Sequence, residues 1–61
     1  MVFNVEFKSG ATKKYPSVKM VILYDDGTLA LLRSDKRLKH GFRKENLKLD
    51  HIKKFMGHEN I

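Results

Sequence analysis

The apolar positions of this chain fall into short runs interrupted by turn residues. The most prominent pair of runs, Met20 to Tyr24 and Leu29 to Leu32, is separated by Asp25-Asp26-Gly27-Thr28. Asp-Gly between strand-forming residues is a strong hairpin signal. With Asp26 and Gly27 as a two-residue loop, Tyr24 faces Leu29, Leu23 faces Ala30, Ile22 faces Leu31 and Val21 faces Leu32. That register collects Val21, Leu23, Ala30 and Leu32 on one side of the hairpin and Ile22, Tyr24, Leu29 and Leu31 on the other. Both sides are apolar, so both need cover. Coiling into a small barrel supplies it within the chain, and pairing with a second copy supplies it from outside; a monomer is preferred to a homodimer.

Residues 2 to 8, VFNVEFK, alternate with Phe3, Val5 and Phe7 on one side, the pattern of a strand with one buried face. Ser9-Gly10-Ala11 forms the predicted turn and Thr12 to Tyr15 the returning strand, with Val5 opposite Tyr15 and Glu6 opposite Lys14. Pro16 has no amide hydrogen and marks an edge or a break. Beyond Leu32 the pattern predicts a short helical turn capped by Ser34 and ended by Gly41, with Lys39 and His40 at its negative end and Phe42 returning to the core. Leu47 and Leu49 flank Lys48 in a short fifth strand. From Asp50 to Gly57 the recurrence of Leu49, Ile52, Phe55 and Met56 favours a terminal helical turn over a continued strand. The predicted fold is mainly β: a small antiparallel meander or SH3-like partly closed barrel of four to five strands with a short C-terminal helical turn. One domain spans 1–57, and 58–61 form a frayed tail. This order of strands and turns resembles many small meander or SH3-like domains; the likeness is architectural and lends no site residue.

Sixty-one residues hold one small core, so every large apolar side chain counts. The absence of cysteine excludes disulfides and thiolate ligation and suits a reducing compartment. No signal-peptide pattern and no long apolar run occurs, and the expectation is a cytoplasmic protein with no membrane partner. His40, His51 and His58 have no metal-binding spacing, and no phosphate loop or nucleophile elbow is present. The adjacent Asp25 and Asp26 are explained by the turn they occupy. The sequence therefore predicts no enzyme, no cofactor and no metal.

Charge adds one further feature. Thirteen Lys and Arg oppose seven Asp and Glu, a net charge of +6. Residues 1–32 hold four of the bases and three of the acids, whereas residues 33–61 hold nine and four. Arg33, Lys36, Arg37, Arg43 and Lys44, with Lys39 at the margin, form a basic cluster that would attract phosphates, and Phe42 beside it could stack on a base. The functional expectation is a non-enzymatic accessory module that binds DNA or RNA through this patch. The alternative is a small inhibitor or adaptor that docks on an intracellular protein through Phe55 and Met56.

Overall fold

The computed structural model describes residues 1–59. Six strands follow one another: β1 (Val2–Phe7), β2 (Thr12–Tyr15), β3 (Val18–Leu23), β4 (Thr28–Ser34), β5 (Phe42–Lys48) and β6 (Ile52–His58), with a short 3-10 turn at Leu49–His51 between the last two. All pairings are antiparallel. The protein is thus mainly β with one short helical turn, and its strands form two three-stranded sheets in the orders β2-β1-β6 and β3-β4-β5. The two sheets do not join into a barrel wall.

The third strand does not lie beside the second, as a continuous meander would require. Pro16 cannot donate to a ladder, and Ser17 adopts a left-handed φ of 62°. The chain turns there from one sheet into the other. Three hydrogen bonds fasten the corner: the Val18 amide to the Met1 carbonyl at 2.8 Å, the Ser34 amide to the Ser17 carbonyl at 2.9 Å, and Arg33 Nε to the Pro16 carbonyl at 2.9 Å.

Both hairpins close with three-residue loops. In the first, Phe7 and Ala11 pair around Lys8-Ser9-Gly10, and in the second Tyr24 and Thr28 pair around Asp25-Asp26-Gly27. Each loop ends in a left-handed glycine, Gly10 at φ 94° and Gly27 at φ 86°. This is the hairpin form in which a tight turn is followed by a left-handed residue. The first loop therefore begins one residue earlier than predicted and shifts the register by two, so Tyr15 lies opposite Phe3 rather than Val5 while every side chain keeps its face. The second loop is one residue longer than predicted and shifts the register by one. Leu23 now pairs with Leu29, Ile22 with Ala30 and Val21 with Leu31, and the β4 side chains exchange faces relative to β3.

The inner faces meet in a core of Phe3, Val5 and Tyr15 from one sheet and Val18 and Leu31 from the other, flanked by Phe7, Val21, Leu47 and Ile52. Leu31 has no exposed surface. Leu23 faces inward by alternation yet is 65% exposed, whereas Leu29 opposite it is buried. Only Leu49–His51 realises the helical turn expected over 50–57; the rest is strand, because pairing with β1 covers an edge that carries the buried Phe3 and Val5. Phe55 lies opposite Val5, and its ring is 6.2 Å from that of Phe3. Gly57, expected to stop a helix, instead lies opposite Phe3, whose ring occupies the space a Cβ would take. His58 pairs with Val2, so β6 takes up the first residue of the expected tail; Asn60 and Ile61 lie outside the described residues.

Candidate nucleic-acid interface

The basic residues singled out in the sequence occupy three different environments. Arg33 lies on the inner side of β4, where alternation from Leu31 places it. Its guanidinium donates to Glu45 Oε1 at 3.0 Å and to the Pro16 carbonyl, and it lies 5.9 Å from the centre of the Tyr15 ring. At 24% side-chain exposure it ties the corner of the fold to β5.

Arg37 and Arg43 converge on Asp35 in the loop between β4 and β5. Arg37 grips the carboxylate with Nε at 3.1 Å and Nη2 at 3.3 Å, its own amide adds a bond of 3.0 Å, and Arg43 Nε approaches from β5 at 3.1 Å. The side-chain bonds from Arg37 hold the Asp35 carboxyl well below the usual carboxylate range, with smaller contributions from the Arg37 amide and from Arg43; the Arg37 guanidinium is raised in turn. Asp35 is 9% exposed because these arginines lie over it, and Arg37 itself is 83% exposed. Lys36 and Lys39 project from the same loop into solvent. The helical turn expected over 34–41 is replaced by Ser34 in β4 and a closed loop, in which the Asp35 amide donates to the Gly41 carbonyl at 2.8 Å. Gly41 does adopt the expected left-handed conformation, with φ 79°.

Lys44 stands on the opposite side of its sheet from Arg33. Its Nζ is 2.9 Å from the Tyr24 hydroxyl and 5.0 Å from the ring centre. Together these distances place the ammonium beyond the hydroxyl rather than above the ring, which leaves the ring face uncovered by the lysine. Because Tyr24 belongs to the β3 hairpin and Lys44 to β5, the pair bridges β4. Ala30, the small residue on that side of β4, is buried.

These contacts define the outer face of the second sheet. By alternation it carries Met20 and Ile22 from β3, Thr28, Ala30, Leu32 and Ser34 from β4, and Phe42, Lys44, Asn46 and Lys48 from β5, with Tyr24 folded over it. Met20, Tyr24 and Phe42 are 53%, 39% and 40% exposed. Phe42 does not return to the core as predicted. Leu47 points inward, so Phe42, an odd number of positions away, points outward, with its amide donating to His40 Nδ1 at 3.3 Å. With no helix over 34–41, His40 does not stand at a helix end, and it is an exposed loop residue. Among the described residues this face carries no carboxylate. Glu45 points inward, Asp35 is enclosed by arginines, and Asp25 and Asp26 stand at the hairpin tip, where Asp26 accepts the Thr28 amide at 2.9 Å.

The outer face of the first sheet is different in kind. Asn4, Glu6, Thr12, Lys14, Lys54 and Met56 line a shallow, open groove, and Lys53 lies 3.5 Å from Glu6. Phe55 and Met56, the alternative docking pair, alternate on β6 and so do not form one surface: Phe55 faces inward against Phe3, and Met56 faces outward. No group of three His, Asp or Glu among the described residues stands close enough to hold a metal ion. No known family model matches this chain, and neither do any curated protein or solved structure.

Proposed function

We propose that this protein binds nucleic acid through the outer face of the β3-β4-β5 sheet. One observation carries the reading: the face combines exposed Tyr24 and Phe42 with Lys44 and Lys48 and holds no carboxylate among the described residues. Lysines recruit phosphates by releasing condensed counterions, and aromatic rings supply contact area that tolerates any base. The cluster expected from the sequence contributes differently. Arg33 is committed to the fold, Arg37 and Arg43 hold the Asp35 loop beside Phe42, and Lys36 and Lys39 add positive potential at that rim. Lys44 alone of the five stands on the face itself.

Titration of labelled oligonucleotides at two ionic strengths tests this reading. Affinity is expected to fall as salt rises, with a slope near 0.7 per phosphate neutralised on a single strand. Lys44→Gln together with Lys48→Gln should lower that slope by about 1 to 2. Absence of any association with RNA or DNA at low salt would exclude the function.

A further inference from the structure

Resting on that reading, we infer that the ligand is a single strand whose bases stack on Tyr24 and Phe42. The dimensions of the molecule argue against a duplex. A major groove of about 12 Å is entered by an α-helix or a two-stranded β-ribbon, and the molecule, 33 × 28 × 16 Å in extent, would have to present one of these. Its described residues offer no α-helix to enter that groove, and the hairpin tip nearest the proposed face carries Asp25 and Asp26, which phosphates repel. A duplex resting on the face would present only its backbone, since its bases remain stacked on one another.

The aromatic side chains are placed for bases that are already unpaired. Tyr24 pairs opposite Thr28 and Phe42 opposite Ser34, so they occupy opposite ends of the face on opposite sides of β4. From Thr28 to Ser34 is about 20 Å at roughly 3.4 Å per residue. Between these backbone positions lie Met20, Ile22 and Leu32, an apolar floor, with Lys44 alongside. A strand laid diagonally from one ring to the other crosses this floor and passes the Lys44 ammonium. Lys44 also acts as a positioning residue, because its bond to the Tyr24 hydroxyl fixes the ring over the sheet. The charge of the face argues against a second copy as occupant, since a two-fold pairing would bring the Lys44 and Lys48 groups of both copies into one interface with no carboxylate from the described residues of that face to answer them.

The chain has no tryptophan, and of its two tyrosines Tyr15 is buried at 2% exposure whereas Tyr24 is accessible. Both tyrosines emit, but a ligand on the outer face can stack only on Tyr24, so the part of the emission it quenches, which Tyr24→Leu should remove, reports on that residue without an added label. A twelve-nucleotide single strand, the same length of abasic strand and a twelve-base-pair duplex are each titrated into the full chain. The single strand is expected to quench the accessible fraction of the emission and to bind about tenfold or more tightly than the abasic strand, in line with the loss of one or two stacked bases. Tyr24→Leu and Phe42→Leu should each weaken binding of the single strand about tenfold and that of the abasic strand by much less. Equal affinity for all three ligands would overturn the stacking inference and leave backbone-driven binding standing; failure of all three to bind at low salt would remove both. Circular dichroism on each variant confirms that it is folded. Sedimentation showing a dimer of the free protein that Phe42→Ser dissolves would assign the face to a second copy and likewise overturn the proposal.

Discussion

The two sheets begin alike and finish differently. Each starts from a hairpin closed by a three-residue loop with a left-handed glycine in its last position, and each adds one further antiparallel strand. The first then covers its outer side mainly with Asn4, Glu6, Thr12, Lys14 and Lys54 beside Met56, whereas the second leaves Met20, Ile22, Leu32, Tyr24 and Phe42 there. In the first sheet the core accounts for the apolar positions apart from Val2 and Met56. The second is apolar on both sides, and the core accounts for only one. What remains is an investment of exposed apolar and aromatic surface in a chain small enough to need all of its burial, which is why a functional reading begins at this face.

The sharpest test of the two-sided sheet compares neighbours on β4. Leu31→Ala empties a fully buried site and should destabilise by about 2 to 5 kcal/mol. Since a core of this size supplies roughly 3 to 5 kcal/mol of net stability, that loss is comparable with the whole of it and should move the urea midpoint far toward zero denaturant. Leu32→Ala removes a partly buried side chain from the outer face and should cost about 1 kcal/mol. Urea midpoints of the two variants decide the matter, and equal losses would show that the outer face is covered as well as the inner one.

In the first sheet the corresponding weak point is a side chain that must be absent. A Cβ at Gly57 would lie 2.9 Å and 3.0 Å from two ring atoms of Phe3, which is itself buried. Gly57→Ala should therefore destabilise by about 1 to 3 kcal/mol through overpacking, despite the entropic advantage alanine normally carries. Pairing the substitution with Phe3→Leu should recover part of the loss in thermal melts, and a neutral Gly57→Ala would show that the ring has room to move.

The smallest effects are expected where the sheets are most alike. Nothing lies within 4 Å of a Cβ built at Gly10 or Gly27, so either alanine meets only the backbone penalty of a left-handed conformation. Both variants should lose about 1 kcal/mol, and the two losses should agree with each other. Asparagine, which tolerates that conformation, should lose less at both sites. A clear difference between Gly10→Ala and Gly27→Ala in chemical denaturation would break the equivalence of the turns.

The antiparallel β class, the first two hairpins and the role of Phe3, Val5 and Tyr15 as inward residues were legible in the alternation of the chain. The faces of the central hairpin were not, because Asp25-Asp26-Gly27 accommodates loops of two or three residues and the choice inverts one strand relative to the other. Chain order alone also hid the partner of β1. The spacing of Ile52, Phe55 and Met56 fits a helix and a strand about equally well, and it is the open side of Val5 and Phe3 that selects the strand. For the site, charge density pointed to residues 33–44 but could not separate cations on the face from those held by Glu45 and Asp35, since that depends on parity along β4 and β5. Lys44 and Phe42 were within reach of the sequence; the bridge from Lys44 to Tyr24 spans three strands and was not.

The pairing of β1 with β6 also sets the order in which the molecule is cheapest to assemble. Every contact that builds β3-β4-β5 joins strands adjacent in the chain, whereas β6 must find β1 across roughly 45 intervening residues. Closing a loop of that length rather than one of three residues adds about 2 kcal/mol of chain entropy. The sheet that bears the proposed face is thus the locally encoded half of the fold, and the other half completes only when the last strand slides in beside the first. Should β6 detach transiently, Phe3 loses the cover of Phe55, while the ladders that position Tyr24, Lys44 and Phe42 keep all of their own strand partners.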